Sequence, residues 1–288
     1  MNDQPVLGIL GGTGLYSMPD LTVLEENILE TPFGNPSGPV VIGLLKGKRV
    51  AFLARHGKGH TISPSEINFR ANFYALKMLG VSRVLSINAV GSLREDYSPG
   101  DIVIPDQVFD FTKDRKRTFF SDGLVAHISV ADPFCPQLSE DVFTSTKQTG
   151  VTVHRGGTFL TVEGPRFSTK AESKVFRNWG MSIIGMNTAP EAFLAREAEM
   201  CFAIMAHVTD YDVWHISEVP VTVDIVIKRI LENIEISKQS VRNLVSIIKP
   251  QDTCSCHNAL ENAFVTDPAA IPATTRKKLD LLVKKYIK

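Results

Sequence analysis

Apolar positions come in short runs along this chain, at residues 6–10, 50–53, 81–87, 102–104, 158–162, 181–186 and 201–208. Such runs, bounded by glycine, proline and polar residues, read as strands. Amphipathic stretches lie between several of them. Ser63-Pro64-Ser65-Glu66 resembles a capping box with proline at the first helical position, opening a helix that closes near Gly80. Pro190-Glu191 opens another. A periodic segment from Val223 to about Ile248 and a basic terminal one over 274–288 read as helices, the latter a solvated face above Leu281, Leu282 and Ile287. Strands alternating with helices predict an α/β fold. With no repeat, no low-complexity tract and no linker, one domain over 1–288 is the economical reading, with a C-terminal helical extension from about residue 250.

Composition narrows the class without choosing a chemistry. Hydrophobic residues make up 43% and charged ones 22%, which excludes the low-hydrophobicity signature of disorder. Lysine plus arginine equals aspartate plus glutamate at 31 each, so no overall basic field points to nucleic acid or an anionic membrane as partner. Residues 1–6 lack the cationic and apolar regions of a signal peptide, and no segment is a spanning apolar stretch, so a cytoplasmic protein is expected. The histidines are scattered, and Cys254-Ser-Cys256 lacks a second pair at suitable spacing, so no metal site is expected.

The chemistry-bearing residues sit at strand ends. The first run ends in Gly11-Gly12-Thr13-Gly14, whose backbone N–H groups and hydroxyl suit a phosphate. It matches neither the dinucleotide fingerprint nor a P-loop, and a tight turn is an equal alternative. The second run leads into Arg55-His56-Gly57, a fixed cation and a titratable ring where α/β sheets present ligands; a structural ion pair is the alternative for the arginine. Asn88-Ala89-Val90-Gly91-Ser92 reads as a small-residue turn after the third run. Three such turns after three successive strands favour a shared phosphate site. The second half supplies Glu163-Gly164-Pro165-Arg166-Phe167-Ser168, then Gly185-Met186-Asn187-Thr188-Ala189-Pro190-Glu191, then Thr209-Asp210-Tyr211-Asp212. Two carboxylates at i and i+2 suit an acid and hydrogen-bonding role, a cation site, or simply a turn.

Together with Gly91-Ser92-Leu93-Arg94-Glu95, Pro99-Gly100-Asp101 and Trp214, these motifs closely resemble the methylthioadenosine phosphorylase branch of the trimeric purine nucleoside phosphorylase family over nearly the whole chain. The resemblance implies a central mixed β-sheet flanked by helices and a phosphorolysis of 5′-methylthioadenosine to adenine and 5-methylthioribose 1-phosphate. It implies a phosphate site of Thr13, Arg55, His56, Asn88, the Ala89 main chain and Asn187, with Met186 against the ribose and Phe167 on the purine. The family usually has a hydroxyl residue where Asn187 stands, and this branch often has threonine where Asn88 stands.

By the same resemblance Asp210, Tyr211 and Asp212 hold the purine, with Asp210 as the catalytic acid toward N7. Cleavage at N9 leaves negative charge on the base, which a proton at N7 neutralises while phosphate attacks the cationic sugar. Inorganic phosphate is then a co-substrate, and no cofactor is implied. Asp210 and Ser168, where 6-oxopurine enzymes of the family carry asparagine and glutamate, imply a 6-aminopurine. Val223 matches a position lining the 5′ pocket, and His127 one that reaches a neighbouring subunit's site, which implies a homotrimer or a dimer of trimers. A similar cysteine pair in some archaeal members forms a disulfide; for Cys254 and Cys256 a disulfide and free thiols are equally consistent. Phosphorolysis of adenosine or of 6-oxopurine nucleosides, and nucleoside binding without turnover, are the competing readings.

Overall fold

The computed structural model describes residues 4–12, 14, 18–215, 223–249 and 253–287, and of 223–232 the backbone alone. At its centre β1 (Leu7–Gly11) lies parallel to β4 (Lys48–Ala54) on one side and to β5 (Arg83–Ser92) on the other, and β11 (Cys201–Asp210) runs parallel along the far side of β5. All four strands are almost wholly buried, which is why they read as continuous apolar runs rather than as an alternation. On one face Leu10, Leu53, Val84 and Ile204 pack with Phe73 and Leu76 of α1 (Phe69–Met78) and Ala192 and Leu194 of α4 (Thr188–Glu197). On the other, Leu7, Ile9, Phe52 and Met205 pack with Leu138 and Val142 of α2 (Pro136–Lys147) and Val241 and Leu244 of α5 (Val223–Ile247). Phe52, Phe73, Phe159 and Phe202 are enclosed completely, each worth roughly 2–3 kcal/mol by area.

The sheet is mixed. β2 (Thr22–Asn27) and β3 (Val40–Leu45) join antiparallel beyond β4, while β10 (Ile183–Gly185) pairs antiparallel with the end of β5 and leads through β9 (Thr158–Val162) to β7 (Gln107–Phe111). Beside β11 lie β6 (Ile102–Ile104) and β8 (Val153–Arg155). The ordering β2-β3-β4-β1-β5-β10-β9-β7, with β11-β6-β8 branching from β5, makes one 11-stranded sheet among the described residues. Parallel alignment brings the carboxyl ends of β1, β4, β5 and β11 to one edge, the place where open α/β sheets bind ligands.

Several boundaries differ from the sequence reading. Ser63 and Glu66 do bond, Oγ to Oε2 at 2.6 Å and N to Oε2 at 3.1 Å, but they close an isolated turn. The helix starts five residues later than that reading, at Phe69, where the cap Asn68 Oδ1 accepts from the N–H of Ala71. Residues 88–92 are not a turn: β5 continues through them because β11 and β10 offer ladder partners on both sides. The terminal helix is α6 (Ala273–Val283), with Leu279 and Leu282 buried in the core shared with α1.

Four cysteines that spacing along the chain does not associate come together in three dimensions. Cys135 caps α2, Cys201 begins β11, Cys254 caps a short 3₁₀ turn over Ser255–Asn258 and Cys256 lies within it. Their four Sγ atoms lie within 4.8 Å of one another, all buried and none in a disulfide. Spacing along the chain reveals only the Cys-x-Cys; the fold adds the other two.

Candidate active site

Arg55 follows directly after β4 and turns back under the sheet edge, only 3% exposed. Its Nε faces Glu191 Oε1 of α4 at 2.8 Å. Nη1 donates to the Ile87 carbonyl at 3.1 Å and to Asn88 Oδ1 at 2.8 Å, and Nη2 to the Leu10 carbonyl at 3.3 Å and to Ser86 Oγ. Ser86 Oγ in turn donates to Glu191 Oε2 at 2.6 Å and accepts from Asn88 Nδ2 at 3.0 Å. The guanidinium is thus spent on protein acceptors and orients Asn88. Its charge is countered by one carboxylate that is itself 1% exposed.

Next to Arg55, His56 is neutral at physiological pH: burial, and then the Arg55 charge, hold it down at about 4. Its Nδ1 lies 2.9 Å from the Ile62 carbonyl, which can only accept, so Nδ1 carries the proton and Nε2 is left with a lone pair. That lone pair faces Asn187 Nδ2 at 3.4 Å. Asn187 occupies the N-cap position of α4 yet makes no capping bond, and its Oδ1 is buried without a protein partner. An N-cap asparagine released from capping and turned to a neighbouring strand end is placed for a ligand. In β5 every position is buried except Ala89, whose backbone opens at this edge.

The third group is at the end of β11. The strand slips register against β5 between Val208 and Asp210, a bulge that re-aims the residues beyond it. Asp210 Oδ2 accepts from Thr209 Oγ1 at 2.6 Å, and Oδ1 accepts the N–H of Asp212 at 2.8 Å. Asp212 itself takes a left-handed φ of 52°, which aspartate tolerates, and its Oδ2 is buried without a protein partner. Withdrawal from water raises Asp210 to about 6, against its two hydrogen bonds and helped by Asp212; burial raises Asp212 as well. Gly91 makes the approach possible, because a Cβ there would lie 3.0 Å from Asp210 Oδ1 and 3.3 Å from Asp212 Cβ.

A sheet that gathers buried anion-type donors at one strand end and a carboxyl poised near neutrality at another, with β5 common to both, is a scaffold for holding a small polar molecule between them. The sequence profile of the Phosphorylase superfamily matches residues 6–248. The chain belongs to the phosphorylase superfamily. An S-methyl-5′-thioadenosine phosphorylase of Geobacter sulfurreducens is 50% identical, over 99% of this chain and 100% of its own. A methylthioadenosine phosphorylase from an antarctic soil metagenomic library superposes with a TM-score of 0.93 at 44% identity, covering 98% of this chain and 100% of that one. A variant of the adenosine/methylthioadenosine phosphorylase of Schistosoma mansoni, in complex with methylthioadenosine, gives a TM-score of 0.83 at 34% identity, over 90% and 96%.

The other expected positions of this phosphorylase-superfamily chain fall at varying distances from the two centres. Met186 is half-buried and packs against Gly164, whose φ of 68° and missing Cβ leave room for the thioether. Glu163 is locked by Arg115 Nε at 2.6 Å and by the N–H groups of Lys113 and Asp114; despite partial burial, these hold it near 2. The latch carries Phe167, whose ring is 39% exposed, and half-buried Ser168, just before α3 (Lys170–Asn178). Tyr211 turns away from the carboxylate pair: its hydroxyl bonds Ser98 Oγ at 3.1 Å and its ring stacks on His215. His127 is exposed, with its backbone N–H on the Ala263 carbonyl. Thr13 and the side chain of Val223 lie outside the described residues. Sequence reasoning missed Ser86, Thr209 and the role of Glu191. Ser86 shares the apolar run 81–87 with Ser82, so the run alone does not single it out.

Proposed function

We propose that this chain cleaves 5′-methylthioadenosine with inorganic phosphate, releasing adenine and 5-methylthioribose 1-phosphate, without a cofactor in the chemistry. The observation that carries the reading is Asp210, a carboxyl near pH 6 beside a second raised carboxyl at the carboxyl edge of parallel strands. Its proton goes to purine N7 as the bond between C1′ and N9 breaks, and Asp212 accepts from the 6-amino group. Phosphate occupies the opening at Asn88, the Ala89 main chain, Asn187 and His56, and Thr13 is a further ligand in this reading. The neutral tautomer of His56 supports this, since Nε2 can accept from the P–OH of monobasic phosphate while Asn187 Nδ2 donates to another oxygen. Arg55 acts from behind, holding Asn88 in place for the phosphate, whose negative charge stabilises the cationic sugar it attacks. Asn88 and Gly91 are three residues apart along β5, about 10 Å, which leaves room for a ribose between phosphate and base.

In this reading Phe167 stacks on the purine, Met186 supports the ribose, and Ser168 and Val223 shape selectivity; Tyr211 braces the turn that carries the two aspartates. The exposed His127 serves a neighbouring copy's site in a homotrimer, or in a dimer of trimers. No described helix is long and apolar enough to cross a membrane. Adenosine is the second reading, supported by the name of the Schistosoma relative. Initial rates with methylthioadenosine, adenosine and inosine test the assignment. Highest kcat/KM for methylthioadenosine and negligible turnover of inosine support it; preference for inosine, or binding with no base released from any of the three, overturns it.

A further inference from the structure

We infer that Cys135, Cys201, Cys254 and Cys256 are the four ligands of a structural zinc ion that staples the C-terminal segment to the base of the central sheet. A tetrahedral tetrathiolate with zinc–sulfur bonds of about 2.3 Å places its sulfurs about 3.8 Å apart. Cys135 Sγ and Cys254 Sγ are 3.8 Å apart, and no pair of the four exceeds 4.8 Å. Closing onto an ion asks each sulfur to move inward by about half an ångström. A disulfide needs about 2.05 Å, and all four thiols are free.

Packing of small apolar side chains would bring thiols together without arranging hydrogen-bond donors around them. Here donors approach two of the four sulfurs from different elements, and an imidazole nitrogen approaches a third. Arg196 Nη1 of α4 is 3.7 Å from Cys256 Sγ, His257 Nε2 is 3.6 Å from Cys201 Sγ, and the Leu138 N–H in the first turn of α2 is 3.5 Å from Cys135 Sγ. Four thiolates around a divalent ion carry a net charge of about −2, and an arginine and a helix N-terminus are what such a charge recruits. On binding, each thiol releases its proton to solvent and donates a lone pair to the ion, with no redox change. All-sulfur tetrahedral coordination selects zinc or iron, and zinc requires no redox partner.

The site does not serve the reaction directly. Cys201 and Asp210 are at opposite ends of β11, about 30 Å apart. What the ion joins is the first residue of that strand, the N-terminus of α2 and the turn beyond α5, three segments of the same apolar layer.

The test is metal analysis of the full chain purified without chelator, with X-ray absorption at the zinc edge. About one zinc per chain, with four sulfurs near 2.3 Å, is expected. Cys254→Ser and Cys256→Ser should each lose most of the metal and unfold at lower temperature, while adenine release at moderate temperature stays within about twofold. Protein free of metal, a Cys254–Cys256 disulfide found by mass spectrometry, bound iron, or zinc held by nitrogen and oxygen ligands would each overturn the assignment. The wild-type metal content decides the matter even if a serine variant fails to fold.

Discussion

Replacing Asp210 by asparagine should stabilise the protein and disable it together. Taking the Asp210 carboxyl from its ordinary 3.8 to about 6 makes the ionised form unfavourable by about two pKa steps, or about 3 kcal/mol, once the pH is well above 6. Between those two values the folded chain holds more protons than the unfolded one. The contribution is therefore complete below pH 4 and is lost as the pH rises through 6. Asparagine does not ionise and suffers no such loss. It also fits: its oxygen can accept the Asp212 N–H, and its amide can donate to Thr209 Oγ1, whose hydroxyl can swing to the Val90 carbonyl 3.1 Å away. Allowing about 1 kcal/mol for weaker hydrogen bonds, the variant should be more stable by about 1–2 kcal/mol at pH 8 and equal or slightly weaker at pH 4.5. Adenine release should fall by about 10²–10⁴. Denaturant unfolding at the two pH values, alongside initial rates, checks both halves. A variant less stable than the parent at pH 8, or a stability difference independent of pH, would refute the account of Asp210 as a carboxyl held against ionisation.

Glu191→Ala leaves the Arg55 guanidinium buried without its carboxylate and should cost about 3–5 kcal/mol in unfolding free energy, with Glu191→Gln markedly milder. Gly91→Ala pushes a methyl against Asp210 Oδ1 and Ile184 Cγ2, both 3.0 Å away, so kcat should drop about tenfold or more while circular dichroism stays native. Phe167→Ala removes a ring already exposed to solvent; stability should move by less than about 0.5 kcal/mol while the nucleoside KM rises about fivefold.

The parts of this architecture that were legible in sequence are those where one local rule decides the outcome. β6 and β9 fall on the predicted residues because an apolar run between turns leaves few alternatives. β2, exposed along most of its length, and β7, an alternating edge strand, carry no such run and went unread. Asn88 to Ser92 looked like a turn because their small side chains are what a turn uses; here the same smallness admits Asp210 beside Gly91. Asp210 and Asp212 were visible as a pair, but the raised carboxyl depends on burial that only the fold supplies. At its strand end Arg55 suits either a ligand cation or a structural ion pair, and only the resemblance makes it a phosphate ligand. Its engagement with Glu191, 136 residues away, has no local signature. The cysteines make the same point, since three segments far apart in the chain contribute to one cluster.

In the proposed reaction phosphate, not water, takes the sugar. The direct measurement is adenine release from methylthioadenosine with and without inorganic phosphate, with the sugar product identified. Release that depends on phosphate and yields 5-methylthioribose 1-phosphate is the predicted result; equal release without phosphate, yielding free methylthioribose, would contradict it.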